Sequence, residues 1–312
     1  MKSNIFSGLT VGIIALPLSM ALAIATGVPP QLGLYTAIVA GVFAAIFGSS
    51  KVNISGPTAA FIVILIPIVQ QFGITGLLLC GLMSGVILIL VGLLRLGNLI
   101  ELVPYPVTVG FTSGIAVVIA TFQIKDFFGL SIEKFDGSYI DKIVLLFNSF
   151  NTFNLYEFLT ASFTLAVLIL WKKTKSKVPA ALVALGLVTL FVAYFNHKFG
   201  LNISTINSTF TYNINGISGN GIPPIPLQFS LPWGFLPAEQ INIDLFLKLL
   251  PHSIAIAILG ALESLLCAVI SDAMTGNKTD PNKELIGQGI TNLVVPFFGG
   301  IPATAAIART VA

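Results

Sequence analysis

The architecture of this chain depends on the stretch SSKVNISGPTAAFIVILIPIVQQ, residues 49–71. Its apolar part begins at Pro57 and ends at Gln71, a length of roughly 22 Å as an α-helix. The hydrocarbon core of a bilayer is about 30 Å thick, so this segment is too short to cross it alone. We therefore expect residues 52–55 to enter the membrane as non-helical chain, which is tolerated only where protein or a water-filled cavity covers it.

A second stretch, IPATAA at residues 301–306, nearly repeats SGPTAA at residues 55–60. Each follows a break that is rich in Gly or Ser, the first break at 49–55 and the second break at 299–303. Interrupted hydrophobic segments that recur in two halves of a membrane protein point to the substrate site of a transporter. The sequence therefore predicts two half-helices that meet at mid-membrane.

The composition indicates a membrane protein. Of the 312 residues, 55% are hydrophobic and 9% are charged, with a net charge of +3, whereas soluble domains carry about 25% charged residues. Long unbroken apolar runs fit helices better than the alternating strands of outer-membrane barrels. The predicted class is an all-α polytopic membrane protein, and the small net charge gives no indication of a nucleic-acid partner.

Apolar runs bounded by Gly, Pro and charged residues predict about ten membrane segments. They lie at 6–28, 33–48, 57–71, 74–95, 106–124, 155–171, 179–195, 246–272 and 285–298, with the tenth after residue 303. Four lysines within residues 172–177 separate the sixth and seventh segments, and the positive-inside rule places them in the cytoplasm. Counting crossings back from these lysines places the N-terminus in the cytoplasm as well.

The turns that open the two half-helices are the first candidate site. Free backbone N–H groups and the positive end of a helix dipole would bind an anion there without a fixed cation. Small residues would let a ligand reach the backbone, and two threonines would add hydroxyl groups. The set comprises Gly56, Pro57, Thr58, Ala59 and Ala60 in the first half, and Thr304, Ala305 and Ala306 in the second. The alternative is that Gly and Ala only allow close packing of helices here.

Two charged residues are candidates for a role inside the membrane. Glu263 lies in the middle of the eighth segment, where a carboxylate costs at least about 3 kcal/mol. We expect it to couple transport to a proton, and the alternative is a structural carboxylate that is hydrogen-bonded between helices. Arg309, on the tenth segment, would attract the anion or neutralise Glu263. The alternative for Arg309 is an arginine at a helix end whose head group reaches the membrane surface.

The remaining polar residues give weaker indications. Lys51 is either buried or interfacial, and the acidic residues Asp272, Asp280 and Glu284 are expected to be solvated at segment boundaries. Cys80 and Cys267 lie within apolar runs and are interpreted as small buried side chains rather than a disulfide. No spacing matches a metal site or a catalytic nucleophile, so we predict no metal, no organic cofactor and no enzymatic activity.

Several motifs resemble the sulfate permease (SulP) family of anion transporters. They are PQLGLYTA at 30–37, GSSK at 48–51, SGPTA at 55–59 and ART at 308–310. Within that family the chain looks closest to bacterial proton-coupled C4-dicarboxylate carriers. The stretches that carry this second resemblance are LPLSMALA at 16–23, GFTSGI at 110–115, QIKDF at 123–127 and ESLLCAV at 263–269.

The resemblance implies a fold of fourteen segments, built from two inverted repeats of seven. Residues 1–105 would form a core domain with segments 1–4, and residues 106–245 a gate domain with segments 5–7 and an external loop. Residues 246–312 would return to the core domain with segments 8–10. The resemblance further implies that the chain is truncated, that it lacks the last gate segments and a cytoplasmic STAS domain, and that a homodimer is a candidate assembly.

The expected function is secondary active transport of a small anion across the bacterial inner membrane. The core would move against the gate like an elevator. The substrate would be sulfate, bicarbonate or a C4-dicarboxylate, with a preference for the last, and the coupling ion would be H⁺, with Na⁺ as the alternative. Two other interpretations stay open, namely an anion channel and a fragment that does not transport.

Overall fold

The computed structural model of the chain describes residues 2–100, 105–132, 135, 137–174, 176, 178–214, 217–224, 226–234 and 241–310. The α-helices are α1 (Lys2–Thr26), α2 (Pro30–Phe47), α3 (Ala59–Leu93), α4 (Gly97–Ile100), α5 (Tyr105–Phe127), α6 (Tyr139–Asn148), α7 (Leu155–Lys173), α8 (Ala180–Phe199), α9 (Ile206–Thr209), α10 (Ile243–Thr275), α11 (Pro281–Val294) and α12 (Ile307–Thr310). Turns of 3₁₀ helix lie at Phe150–Thr152 and Val295–Phe298. The strands are β1 (Ser55–Gly56), β2 (Thr211–Ile214), β3 (Ile217–Asn220) and β4 (Thr304–Ala305).

Six helices among the described residues are long and apolar enough to cross a membrane. They lie at Ser7–Thr26, Pro30–Phe47, Ala59–Leu93, Leu155–Lys173, Ala180–Phe199 and Ile243–Thr275. The chain is therefore a mostly helical, multi-pass membrane protein, as the sequence predicts. The count of ten segments and the inverted repeats stay predictions.

Helix α3 consists of two helices joined at a sharp kink. At the kink, Gly73 has φ 65° and ψ −168°, a conformation that glycine adopts readily because it has no Cβ. The first part, residues 59–72, is roughly 21 Å long and is too short to span a bilayer. The predicted half-helix is thus present, and it follows the first break.

The chain divides into two compact units, Met1–Ile115 with Pro224–Ala312, and Ala116–Pro223. In the first unit, a buried cluster joins both parts of α3 to α10. Its members include Phe61, Leu65 and Ile68 from the first part of α3, Leu77 and Leu79 from the second, and Leu249 and Ile256 from α10. Within a membrane such an interface is stabilised by van der Waals packing. The short half-helix is therefore covered by protein, as its length requires. The core and gate boundaries near residues 105 and 245 stay predictions.

Helix α11 packs closely against the second part of α3 through facing glycines. A Cβ on Gly289 would lie 2.7 Å from the carbonyl oxygen of Gly85 and 2.8 Å from the backbone nitrogen of Ile89. A Cβ on Gly85 would lie 2.6 Å from the backbone nitrogen of Leu293. These neighbours are backbone atoms that cannot rotate away, so only glycine allows the two helices to approach this closely.

Two strand pairs were not predicted from the sequence. Strand β1 pairs antiparallel with β4, and Ser55 lies opposite Ala305 while Gly56 lies opposite Thr304. Strand β2 pairs antiparallel with β3 in the polar stretch after α8. The all-α class therefore describes the membrane segments but misses the pairing of the two breaks.

The second unit is organised around α7 and α8, which pack against each other. The rings of Phe163 and Phe191 stack between them with centroids 5.0 Å apart. After α8, the Asn196 side chain donates to the carbonyl of Ile203 and accepts from its N–H, at 2.9 and 2.8 Å. This pair of bonds folds the polar stretch back onto the end of α8.

Gly289→Ala is expected to reduce the free energy of unfolding by about 1–3 kcal/mol, the usual cost of inserting a methyl group into a packed interface. Thermal unfolding of the purified protein in detergent measures this change. The matched control is Gly41→Ala in α2, because nothing lies within 4 Å of a Cβ at that position. Equal melting temperatures for the two variants would contradict the close packing of α3 and α11.

Candidate functional site

The first half-helix begins two residues later than the sequence suggests. Thr58 is the N-cap of α3, with φ −131° and ψ 150°, and its hydroxyl accepts from the N–H of Ala60 over 3.3 Å. Pro57 was expected in the first helical turn, and this expectation is wrong. Because Thr58 is extended and Gly56 belongs to β1, Pro57 lies between the strand and the cap.

The second half-helix also begins later than expected. Thr304 and Ala305 form β4, and α12 starts at Ile307. The N–H of Ala305 donates to Ser264 Oγ over 3.4 Å, and that of Ala306 donates to the carbonyl of Ile54 over 3.1 Å. The prediction that the Thr304–Ile307 turn presents these two groups as free donors is therefore wrong. The reason is that the chain pairs with the first break before it coils.

The two similar sequences, SGPTAA and IPATAA, do not occupy equivalent positions in the structure. Matching SGPTAA to IPATAA aligns Ala59 with Ala305, yet α3 starts at Ala59 and α12 starts at Ile307. The strand pair sets a different correspondence, in which Gly56 faces Thr304. The two helix starts still lie together, because buried residues of both breaks form the strand pair between them.

Both threonine hydroxyls at this site are engaged by α10. The Thr304 hydroxyl donates to the carbonyl of Gly260 over 3.0 Å and lies 2.7 Å from Ser264 Oγ. The Thr58 hydroxyl donates to Glu263 Oε2 over 3.0 Å. Each hydroxyl has a single proton. In this structure neither threonine has a proton left to donate to a ligand.

Arg309 and Glu263 lie close to the strand pair without forming an ion pair. The Arg309 side chain is 2% exposed and its Nη2 donates to the carbonyl of Pro57, whereas its Nε is buried and has no partner within the described part of the chain. A Cβ on Gly56 would overlap the guanidinium. Among the described residues no ion pair within 4.0 Å joins Arg309 to Glu263, so Arg309 does not neutralise Glu263 by direct contact here.

A polar stripe on α11 was not predicted from the sequence. Glu284, Gln288 and Asn292 recur every four residues, which places them on one face of the helix, and all three are buried. Gln288 accepts from Ser55 Oγ over 2.9 Å and donates to the carbonyl of Ala303 over 2.7 Å. Asn292 also donates to that carbonyl and accepts from the Ala303 N–H. The four-residue spacing of these three polar residues was the available signal.

Glu284 was expected to be a solvated boundary residue, and this expectation is wrong. It is 4% exposed, and its carboxylate accepts from the N–H groups of Ser49 and Ser50 and from the Asn53 amide, at 2.7, 2.8 and 2.9 Å. These three donors belong to the first break. The break is not helical, so its polar groups have no hydrogen-bond partners within a helix. Lys51, in the same break, is exposed.

The two cysteines lie where they were expected, whereas Asp272 and Asp280 are half-buried rather than fully solvated. Cys80 and Cys267 are buried free thiols. Of the remaining acidic boundary residues, Asp280 caps α11 by accepting from the N–H groups of Asn282 and Lys283. Asp272 accepts from the N–H and hydroxyl of Thr279. Within the described ranges, no three His, Cys, Asp or Glu side chains are grouped to hold a metal ion.

Several known proteins are similar to this chain over nearly its whole length. The "Putative sulfate transporter YvdB" of Bacillus subtilis is 44% identical over 310 residues, which are 99% of this chain and 55% of that protein. The "Bicarbonate transporter BicA" of Picosynechococcus is 31% identical over 322 residues, covering 99% of this chain and 53% of that protein. The chain thus spans about half the length of these relatives.

Solved structures show the same fold. The transmembrane domain of a cyanobacterial bicarbonate transporter BicA superposes with a TM-score of 0.78 at 28% identity, covering 98% of this chain and 74% of that one. The murine anion transporter Slc26a9 in its inward-facing state gives a TM-score of 0.79 at 17% identity, covering 98% and 52%. The family model described as "Sulfate permease family" matches residues 1–312. The chain therefore belongs to the sulfate permease family.

Proposed function

We propose that the protein is a secondary active transporter that moves a small anion across the bacterial inner membrane. The observation that carries this proposal is the pairing of β1 with β4, which brings the starts of α3 and α12 together beside a buried arginine. The first turn of a helix attracts negative charge through its N–H groups and its dipole. An anion at this point would be held by the start of α3 and by Arg309.

Arg309 supports an anion site through its unmet hydrogen bond. Its Nε is buried without a partner among the described residues, and leaving such a donor unpaired costs about 1–3 kcal/mol, or more for a charged group. A bound oxyanion would accept this hydrogen bond and balance the charge. In this proposal Gly56 is required because any side chain there would displace the guanidinium.

The substrate is proposed to be an oxyanion. The names of the relatives favour sulfate or bicarbonate, whereas the preference for a C4-dicarboxylate rests only on the sequence resemblance. All three are anions that a helix terminus and an arginine could hold. We rank sulfate first because the relative with 44% identity carries that name.

The coupling ion is proposed to be H⁺, with Na⁺ as the alternative. Glu263 is half-buried, lies on α10 next to the start of α3, and contacts it through Thr58. Intramembrane carboxylates of this kind commonly mark proton or ion pathways. A cytoplasmic N-terminus, fourteen segments in core and gate domains, an elevator-like movement and a homodimer complete the proposal.

The substrate and the mode of transport are tested by uptake into proteoliposomes with an imposed pH gradient. We expect saturable uptake of radioactive sulfate that is stimulated by an acidic exterior and is inhibited by competing substrate. Bicarbonate, succinate and fumarate serve as competitors. Inhibition by succinate but not by unlabelled sulfate would favour a dicarboxylate carrier, and a conductance that neither saturates nor responds to pH would indicate a channel.

Glu263→Gln is expected to abolish the stimulation of uptake by the pH gradient, because the amide does not take up a proton. The matched control is Asp244→Asn, which makes the same change at an exposed carboxylate in the first turn of the same helix. The control should retain the response to pH. If Glu263→Gln kept the full response, Glu263 would not be the coupling group.

Gly56→Ala is expected to raise the KM for the anion by about tenfold or more, because a Cβ would displace a guanidinium whose charged hydrogen bond is worth about 1.5–3 kcal/mol. Gly12→Ala in α1 is the control, since a Cβ there meets nothing within 4 Å. The ratio of the two KM values in the uptake assay measures the effect. Equal KM values for the two variants would show that Arg309 does not bind the anion.

A further inference from the structure

The Thr58 hydroxyl connects Glu263 to the start of α3. It donates to Glu263 Oε2 over 3.0 Å and accepts from the N–H of Ala60 over 3.3 Å. Thr58 is 7% exposed, so its hydroxyl is held in place by these two partners. While Glu263 is ionised, the carboxylate takes the only proton that this hydroxyl can donate.

Protonation of Glu263 changes what this hydroxyl can do. A protonated carboxyl group is itself a donor, and Thr58 is the one hydrogen-bond partner of the Glu263 carboxylate among the described residues. When the carboxyl donates, the threonine oxygen accepts two hydrogen bonds, one from Glu263 and one from Ala60. Its own proton must then turn to a third group, which a ligand bound at the N-terminal end of α3 would supply.

We propose that Thr58 is a relay that links protonation of Glu263 to anion binding. With Glu263 ionised, the hydroxyl donates its hydrogen bond to the carboxylate. With Glu263 protonated, the same hydroxyl donates to an oxyanion at the start of α3, while no covalent bond changes except the O–H bond formed at Glu263. Because the two events favour each other, the anion and the proton bind together. This inference rests on the proposed function and makes anion binding by the Thr58 hydroxyl depend on the protonation of Glu263.

Other ionisable groups lie near Glu263 but are occupied elsewhere. On α12, Arg309 donates to the carbonyl of Pro57. On α10 itself, the Cys267 thiol donates to the Thr310 hydroxyl over 3.2 Å. On α11, the Glu284 carboxylate accepts three hydrogen bonds from the first break. None of these groups hydrogen-bonds to Glu263 in the described ranges, so the relay runs through Thr58.

The relay is tested by measuring the Kd for radioactive sulfate as a function of pH, using the purified protein in nanodiscs. Sulfate keeps the same charge throughout this range, so any pH dependence belongs to the protein. We expect the wild-type Kd to fall by about tenfold or more between about pH 8 and about pH 5.5, the change expected from gaining one charged hydrogen bond. Glu263→Gln should bind with a Kd that does not depend on pH.

Thr58→Val removes the hydroxyl at nearly constant shape. We expect a raised Kd whose dependence on pH falls to about threefold or less, the remainder being the direct effect of the Glu263 charge. Thr58→Ser, which retains both the hydroxyl and the N-cap, should restore the wild-type slope. A Kd for Thr58→Val that is raised by the same factor at every pH would overturn the relay.

Thr58→Asn keeps the test decisive if the valine variant does not fold. Asparagine is a good N-cap, and its amide has two protons, so it can donate to Glu263 and to an anion at once. Binding by this variant should respond only weakly to pH, and a full wild-type slope would overturn the relay. The number of sulfate sites per folded protein separates weaker binding from loss of fold in every variant.

Failure of the relay can be told apart from failure of the proposed function. A wild-type protein that binds no sulfate, bicarbonate or succinate would overturn both. A wild-type Kd that does not vary with pH would overturn proton coupling and the relay with it. If the wild-type Kd depends on pH and Glu263→Gln removes that dependence, an unchanged slope in Thr58→Val and Thr58→Asn would overturn the relay alone.

Discussion

The antiparallel pairing of β1 with β4 is the interaction on which the rest of the site depends. In a bilayer each backbone N–H and C=O must find a partner within the protein, and a break in a helix leaves several of them without one. Here the two breaks partner each other, since Ser55 faces Ala305, Gly56 faces Thr304, and the N–H of Ala306 donates to Ile54. Neither break has a stable path through the membrane without the other.

Helix α11 holds this strand pair in position. Glu284, Gln288 and Asn292 present a carboxylate and two amides along one face, and each contacts a break directly. The helix itself is fixed because Gly289 approaches the backbone of α3 too closely for any other residue. Buried polar side chains cost free energy unless they are fully paired. Their pairing with the breaks explains how α11 can bury three of them.

Helix α10 has a different role, because its polar groups form hydrogen bonds with the two threonine hydroxyls of the site. Ser264 and the carbonyl of Gly260 engage Thr304, and Glu263 engages Thr58. Of these contacts, only the one at Glu263 involves an ionisable side chain, which accepts hydrogen bonds when ionised and can donate one when protonated. The hydrogen bond between Thr58 and Glu263 is therefore the one that protonation of a carboxylate would reverse, and it lies at the N-cap of α3.

The sequence by itself determined that the chain is a multi-pass helical membrane protein with a half-helix after the first break. Composition and segment length are enough for this, because the rise of a helix and the thickness of a bilayer are both fixed. Only the tertiary structure decided the register of the two breaks, the burial of Glu284 and the commitment of both threonine hydroxyls. These depend on hydrogen bonds between Ala306 and Ile54, or between Thr58 and Glu263, residues that are far apart in the chain. A short sequence such as Thr-Ala-Ala cannot encode such pairings, since the same three residues begin a helix in one half of the chain and form a strand in the other.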